Sequence, residues 1–242
     1  MITRVAVVPY PPLLVPELTV RAGAETEHLR SACLRAVSSL TDSAARWVAV
    51  GVDRSGSRRL GPQTVGTFAG YGVDVRVTLG QADETAAADP FLPLPALMAG
   101  WLRGRAGADE VTAHLMAADA APEECRTYGA ALGHAARTDS VGMLVLADGT
   151  NRRDSRSPFP PNDRAAALDE LIRAALADAA PARLLDLDPA LAAELGVEGR
   201  AALQVMAGAV QSTGRRWRGD LLYSDTPFGV TYHVALWRPE DV

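Results

Sequence analysis

The chain has 242 residues, of which 48% are hydrophobic and 22% charged, and its formal net charge is −5. This composition is typical of a soluble globular protein with a substantial core, and the acidic balance excludes nucleic acid and an anionic membrane as expected partners. All 24 basic residues are arginine, which excludes a Schiff-base lysine and the phosphate-binding lysine of a Walker motif.

Strand and helix patterns alternate along the chain. The predicted strands cover residues 4–8, 46–51, 73–79, 111–117, 141–147, 217–223 and 230–237. The predicted helices cover residues 25–40, 94–103, 122–137, 164–179, 190–195 and 200–210, with Asp163 as the N-cap of the fourth. We therefore predict one α/β domain over residues 1–242, with a mostly parallel or mixed central sheet and helices on both faces.

Polar residues follow three of the predicted strands. Tyr10 follows the first, Asp53 and Arg54 follow the second, and Asp148 and Asn151 follow the 141–147 strand. Because ligands of open α/β sheets bind beyond the carboxyl ends of the strands, these side chains are expected to line one crevice. The polar segment 149–162 is long for a connection in a compact domain, and such segments tend to be functional or mobile.

Four segments, taken in order, resemble the LigB-like family, the B subunits of class III extradiol ring-cleavage dioxygenases, with their Memo-type relatives. The segments are VAVVPYPPLLV at 5–15, VAVGVDRS at 48–55, LVLADGTN at 144–151 and YSDTPFGV at 223–230. The resemblance implies a LigB-like fold over nearly the whole chain. It also implies an ancestral Fe(II) site held by two histidines and a carboxylate, with another histidine as acid/base and, in Memo-type relatives, a cysteine as the last ligand.

At the positions that match the family's site, this chain carries other residues. The first ligand position is Tyr10, the second falls on Arg54 or Ser55, the acid/base position is Asn151, and the late position is Tyr223 or Asp225. A tyrosine must lose a proton with a pKa of about 10 before it binds iron, a guanidinium cannot ligate a metal, and an amide cannot relay a proton. We therefore predict a degenerate iron site with no cofactor, unless oxygen ligands rebuild it for Fe(II) or another divalent metal.

Two arginine-rich rim loops, one with Arg54 and one with Arg152, could together hold a carboxylate or phosphate. The alternative is that these arginines are solvated and paired with nearby aspartates.

His28, His114, His134 and His233 are expected to be surface or packing residues, with His233 the one most worth following. The two distant cysteines are expected to be buried free thiols, which together with the absence of a targeting segment indicates a cytoplasmic protein.

Three hypotheses follow for function. In the first, the protein is a pseudoenzyme of the dioxygenase fold that binds a small ligand, anionic or neutral, or a protein partner. The crevice for it is lined by Tyr10, Asp53, Arg54, Asp148, Asn151, Arg152, Tyr223 and Asp225. In the second, oxygen ligands hold a metal such as Mn²⁺ or Mg²⁺ for oxidoreductase or hydrolase chemistry, or a tyrosine acts as a metal-free acid/base. In the third, the fold is a scaffold for protein interaction, including a homo-oligomer, without a membrane or nucleic-acid partner.

Overall fold

The computed structural model describes residues 1–19, 23–81 and 85–240. Within those ranges the strands are β1 Ile2–Val8, β2 Arg46–Asp53, β3 Arg58–Leu60, β4 Val65–Thr67, β5 Arg76–Thr78, β6 Glu110–Ala117, β7 Val141–Leu146, β8 Trp217–Asp225 and β9 Tyr232–Pro239. The α-helices are α1 Ala24–Ser43, α2 Leu94–Ala106, α3 Pro122–Ala135, α4 Ala165–Ala177, α5 Pro181–Leu185, α6 Pro189–Leu195 and α7 Arg200–Ser212.

Seven strands form one mixed sheet in the order β3-β6-β2-β7-β1-β9-β8. The four inner strands β6, β2, β7 and β1 run parallel, whereas β3, β9 and β8 join antiparallel at the two sides. The prediction of a single α/β domain with a mixed sheet between helices is confirmed. No helix in the described part of the chain is both long and apolar enough to span a bilayer.

The apolar runs of β1 and β7 reflect burial of the sheet on both faces. Val5 and Val7 belong to a core that includes residues of α3, α4 and α7. Ala6 and Val8 point the other way, into a core with α1 and α2. Since successive side chains of a strand alternate between faces, an unbroken apolar run is the pattern that such a sheet requires.

Two local predictions are wrong. The predicted strand 73–79 is shortened to β5, which pairs with β4 in a separate two-stranded sheet. It does not join the main sheet, because β3 occupies the edge beside β6.

Asp163 is not the N-cap of the fourth predicted helix. That helix begins at Ala165, and the Arg164 N–H donates to the side-chain oxygen of Asn162 at 3.0 Å. The short elements β3, β4 and α5 were not predicted, since three to five residues carry too little periodicity.

Helices α3 and α7 approach each other closely at glycines. A Cβ added to Gly129 of α3 would lie 2.0 Å from the carbonyl oxygen of Val205, and one added to Gly208 of α7 would lie 2.3 Å from that of Arg126. The obstacle is backbone in both cases, so it cannot move aside as a flexible side chain would. This contact holds α7 against the sheet, and the start of α7 forms part of the site described below.

Replacing Gly129 with alanine should destabilise the protein by about 2 kcal/mol or more, because the added methyl group forces the two helices apart. Gly104 is the matched control, since it lies in α2 with no atom within 4 Å of an added Cβ. Gly104→Ala should raise the free energy of unfolding by about 0.5–1 kcal/mol. Urea denaturation followed by circular dichroism measures both, and equal effects would contradict the packing argument.

Candidate functional site

A crevice lies at the carboxyl ends of β1, β2 and β7 and consists of two cavities that share Asn151, Gly196 and Glu198. We call the first the arginine cavity, of about 240 Å³, because Arg54, Arg152 and Arg200 line it. We call the second the tyrosine cavity, of about 230 Å³, because Tyr10 and Tyr232 line it. Loop segments after each strand therefore meet where strand ends of an α/β sheet usually bind ligands.

Asp148 is the central acidic group of the tyrosine cavity. Its Oδ1 accepts a hydrogen bond from the Tyr10 backbone N–H at 3.1 Å, which joins the ends of β1 and β7. Loss of solvation raises the pKa of Asp148 to about 7; the Tyr10 N–H opposes this shift, and the nearby Glu198 adds to it. Near neutral pH Asp148 can thus either donate or accept a proton.

Tyr10 is only 7% exposed. Burial first, and then the neighbouring charge of Asp148, raises the pKa of its phenol well above the ordinary value of 10.0. Tyr10 is therefore a neutral phenol at physiological pH. It can donate or accept a hydrogen bond, but without a bound cation it is not a phenolate base.

Asn151 stands between the two cavities. Its backbone N–H donates to the carbonyl oxygen of Leu195 at 3.2 Å, and its side-chain Oδ1 is buried without a hydrogen-bond partner. Gly196, at the C-cap of α6 with φ of 74°, leaves room for this amide, because a Cβ there would lie 1.9 Å from Oδ1. An acceptor left unpaired at a cavity wall is open to a ligand donor.

The arginine cavity combines charge with apolar walls. Arg54 forms an exposed ion pair with Glu198. Arg152 lies 5.1 Å from the ring centroid of Phe159 and donates to the Pro160 carbonyl at 3.3 Å, and its Nε is buried without a partner. Arg200 is 3% exposed, and its guanidinium donates to backbone carbonyls and Gln204 rather than to a carboxylate. The cationic groups here outnumber the one acidic group.

The structure does not bring all the predicted site residues together. Asp53 lines neither cavity, because its carboxylate is held by the Ser55 N–H at 2.9 Å and by Arg58 Nε at 2.5 Å. Tyr223 packs edge-on against His28, with ring centroids 5.3 Å apart, and burial raises its pKa to about 12. Asp225 lines a different cavity, beside His233.

The segment 149–162 is tied down at several points. Ser157 Oγ donates to the Gly229 carbonyl at 2.6 Å, and Arg156 donates to the Pro227 carbonyl at 3.0 Å. Arg156 is also paired with Asp154 at 2.8 Å. The segment thus forms a fixed wall of the crevice, fastened to the turn between β8 and β9.

The histidines lie away from the crevice. His28 contacts Tyr223, and Nδ1 of His114 lies 2.7 Å from the hydroxyl of Tyr128. Across residues 1–19, 23–81 and 85–240, no three side chains among histidine, cysteine, aspartate and glutamate are grouped closely enough to hold a metal.

Sequence reasoning missed several residues of the crevice, among them Gly196, Glu198, Arg200 and Tyr232. Gly196 follows a helical pattern and could have been recognised as a C-cap glycine. Glu198 carried no sequence signal, because only the packing of the α6–α7 connection against the strand ends places it beside Arg54. Tyr232 lies inside the predicted last strand, and its direction depends on the strand register.

No protein-family model matches the sequence, and neither does any curated protein. Among solved structures, the fold is similar to that of the uncharacterized protein JW3007 from Escherichia coli K12, with a TM-score of 0.60. The alignment covers 98% of this chain and 99% of that chain at 13% sequence identity. A likeness at this identity concerns the fold alone.

Asp148→Asn should change how stability depends on pH. An Asp148 pKa of about 7 in the folded state, against 3.8 as its ordinary value, means that the folded protein binds this proton more tightly than the unfolded chain. The stability that Asp148 contributes is complete below pH 3.8 and is lost as pH rises through about 7. Relative to the variant, the wild type should lose about 4 kcal/mol of stability over this range.

Urea denaturation at a series of pH values measures this difference between the two proteins. Asp154→Asn is the control: it retains Asp148 and should lose stability over this range as the wild type does. The wild type should show no loss relative to this variant, because the hydrogen bond from Arg156 lowers the pKa of Asp154. Parallel curves for the wild type and Asp148→Asn would contradict the raised pKa.

Proposed function

We propose that this chain is a LigB-like protein with a degenerate iron site and that it binds a small organic anion in the crevice. The observation that carries the proposal is the arginine cavity, where cationic side chains outnumber acidic ones beside apolar walls. The four family-like segments support the LigB-like part. Three of them end at the carboxyl ends of β1, β2 and β7, around the crevice.

Arg152 is the residue best suited to receive the anionic group. It has no carboxylate partner among the described residues, its Nε is unpaired, and its guanidinium is positioned by Phe159. A planar guanidinium binds a carboxylate through two parallel hydrogen bonds. Arg54 is already paired with Glu198, so its contribution is to limit the negative charge that Glu198 presents to the ligand.

The rest of the cavity favours an apolar body of limited size. Phe159, Ala192, Val197 and Pro189 form the apolar lining, and about 240 Å³ accommodates a single ring with one substituent. The shared amide of Asn151 and the carboxyl of Asp148 could bind a polar group that extends into the tyrosine cavity. These features together favour an aromatic or cyclic carboxylate.

The groups at the positions of the family's site do not fit Fe(II) chemistry. Tyr10, at the first ligand position, is a neutral phenol, and Arg54, at the second, is a cation paired with Glu198. Asn151, at the acid/base position, offers an amide that cannot relay a proton. Fe(II) sites that are open to oxygen use imidazole and carboxylate ligands. We derive no reaction step through iron from this arrangement.

We also propose that the protein is located in the cytoplasm. Cys33 and Cys125 are both buried free thiols, as predicted. Burial raises the pKa of Cys33 far above its ordinary value, so it stays an unreactive thiol. Free buried thiols are typical of a reducing compartment. It stays a prediction that the protein forms a homo-oligomer or binds a protein partner at the crevice.

Benzoate should bind saturably and raise the melting temperature, whereas benzyl alcohol, which lacks the charge, should bind more weakly. Arg152→Gln should weaken benzoate binding about tenfold, as expected for loss of a charged hydrogen bond. The exposed Arg218→Gln variant makes the same charge change on edge strand β8 and serves as the control. Isothermal titration calorimetry measures the affinities. Equal binding of both compounds, or equal effects of both variants, would contradict an anion site at Arg152.

Protein purified without chelator should contain far less than one iron, manganese or zinc per chain. After anaerobic loading with Fe(II), it should not cleave the ring of catechol, because the crevice lacks imidazole ligands. Inductively coupled plasma mass spectrometry gives the metal content, and product analysis gives the cleavage. One bound metal per chain would show that oxygen ligands have rebuilt a site, and ring cleavage would overturn the degenerate-site proposal.

A further inference from the structure

A polar cavity of about 190 Å³ lies beside the β8–β9 hairpin and α4. We call it the histidine cavity, since His233 lines it together with Ser224, Arg153 and Asp169. His233 and the crevice residue Tyr232 are neighbours on β9, so their side chains point to opposite faces of the sheet. The histidine cavity is therefore separate from the crevice, and its chemistry does not depend on the proposed crevice ligand.

Ser224 and His233 form a hydrogen-bonded pair across the β8–β9 hairpin. Ser224 Oγ lies 3.0 Å from His233 Nδ1, and the two residues are direct cross-strand partners. Ser224 is exposed and open to a substrate, whereas His233 is only 3% exposed, so packing fixes the position of its ring. A serine hydroxyl within hydrogen-bond reach of an imidazole is the arrangement that activates serine as a nucleophile.

The imidazole of His233 is available as a base. Burial lowers its pKa, an effect that the charge of Asp169 partly opposes, so the ring is neutral at pH 7. Nε2 is buried and makes no hydrogen bond. In the tautomer with its proton on Nε2, Nδ1 carries the lone pair that faces the Ser224 hydroxyl. A lowered pKa also makes the ring a weak base, which restricts the chemistry to substrates with a good leaving group.

Arg153 supplies a hydrogen-bond donor to the same cavity. Its Nη1 is buried, makes no hydrogen bond and lies 3.7 Å from the Asp169 carboxylate. Asp169 already accepts from the Thr150 N–H at 2.9 Å, the Thr150 hydroxyl at 2.7 Å and the Thr231 hydroxyl at 2.6 Å. The Arg153 donor is therefore left for a ligand. A donor that is fixed in place before reaction stabilises negative charge as it develops on a substrate oxygen.

The charge of the cavity lining selects against an anionic substrate. Two arginines line the cavity with three carboxylates, which leaves an excess of negative charge; these residues are Arg153, Arg173, Asp169, Glu170 and Asp225. The excess repels an anion, whereas it stabilises the imidazolium that forms when His233 takes a proton. A cavity of about 190 Å³ with this lining therefore suits a short, uncharged acyl group.

We propose that the histidine cavity is a serine acyl-transfer site that hydrolyses small, uncharged, activated esters. Ser224 Oγ attacks the carbonyl carbon while His233 Nδ1 takes the hydroxyl proton, and Arg153 Nη1 donates to the carbonyl oxygen. The bond from the carbonyl carbon to the alcohol oxygen then breaks. The alcohol leaves with the proton from His233, and the acyl group stays on Ser224. Water, which gives its proton to the same nitrogen, attacks the acyl group and releases the carboxylic acid and free serine.

The full-length protein and p-nitrophenyl acetate, an uncharged activated ester, test the site at pH 7. Nitrophenolate release should saturate with ester, and mass spectrometry of acid-quenched, digested protein should find the acetyl group on Ser224. Ser224→Ala should abolish both signals, whereas Ser38→Ala, the matched control at an exposed position of α1, should retain both. The anionic ester p-nitrophenyl succinate should react more slowly than the acetate ester, because the lining repels it. Equal release by wild type and Ser224→Ala, or a faster succinate ester, would each overturn the proposal.

His233→Gln tests the base and should slow nitrophenolate release about a hundredfold. His134→Gln, which removes an exposed histidine of α3, is its control and should leave the rate unchanged. Arg153→Gln tests the oxyanion donor and should also slow release about a hundredfold, which keeps the test decisive if circular dichroism shows that His233→Gln does not fold. Equal rates for folded His233→Gln and His134→Gln, or an unchanged rate for Arg153→Gln, would contradict the assigned roles.

Discussion

The parallel pairing of β7 with β1 on one side and β2 on the other is the constraint on which the site depends. It brings the carboxyl ends of three strands to one edge of the sheet, although they come from widely separated parts of the chain. The hydrogen bond from the Tyr10 N–H to Asp148 then fixes the first turn after β1 against the first turn after β7. The loss of solvation that raises the pKa of Asp148 is a consequence of this closure.

The segment that follows β7 contributes side chains to both faces of the sheet. Asn151 and Arg152 line the crevice, whereas Thr150 and Arg153 contact Asp169 of α4 on the other side. Thr231 links the same carboxylate to the β8–β9 hairpin. Since Asp169 is buried and accepts three hydrogen bonds, it holds this segment in one position. Rigid placement of this kind lowers the entropic cost of binding a ligand.

The comparison of folds describes the architecture of this protein, whereas the side chains of the crevice decide which ligands it can bind. The likeness to a solved structure extends over nearly the full length of both chains, yet it concerns the arrangement of strands and helices alone. What the crevice can bind depends on the side chains of Arg152, Asp148 and Asn151, which a comparison of folds does not include. Because burial raises the pKa of Asp148 to about 7, the charge of the tyrosine cavity also depends on pH near neutrality.

The sequence by itself determined the α/β class, the main helices and the inner strands, because apolar runs and helical spacing report burial directly. It also placed Tyr10, Asp148, Asn151, Arg54 and Arg152 at the crevice, since residues after parallel strands meet at one edge. Only the tertiary structure decided that Tyr223 packs on His28 and that Asp225 lies at another cavity, because the register of β8 on β9 sets those directions. The positions of Glu198 and of the unpaired His233 Nε2 depend on contacts between distant segments, for which local sequence patterns carry no signal.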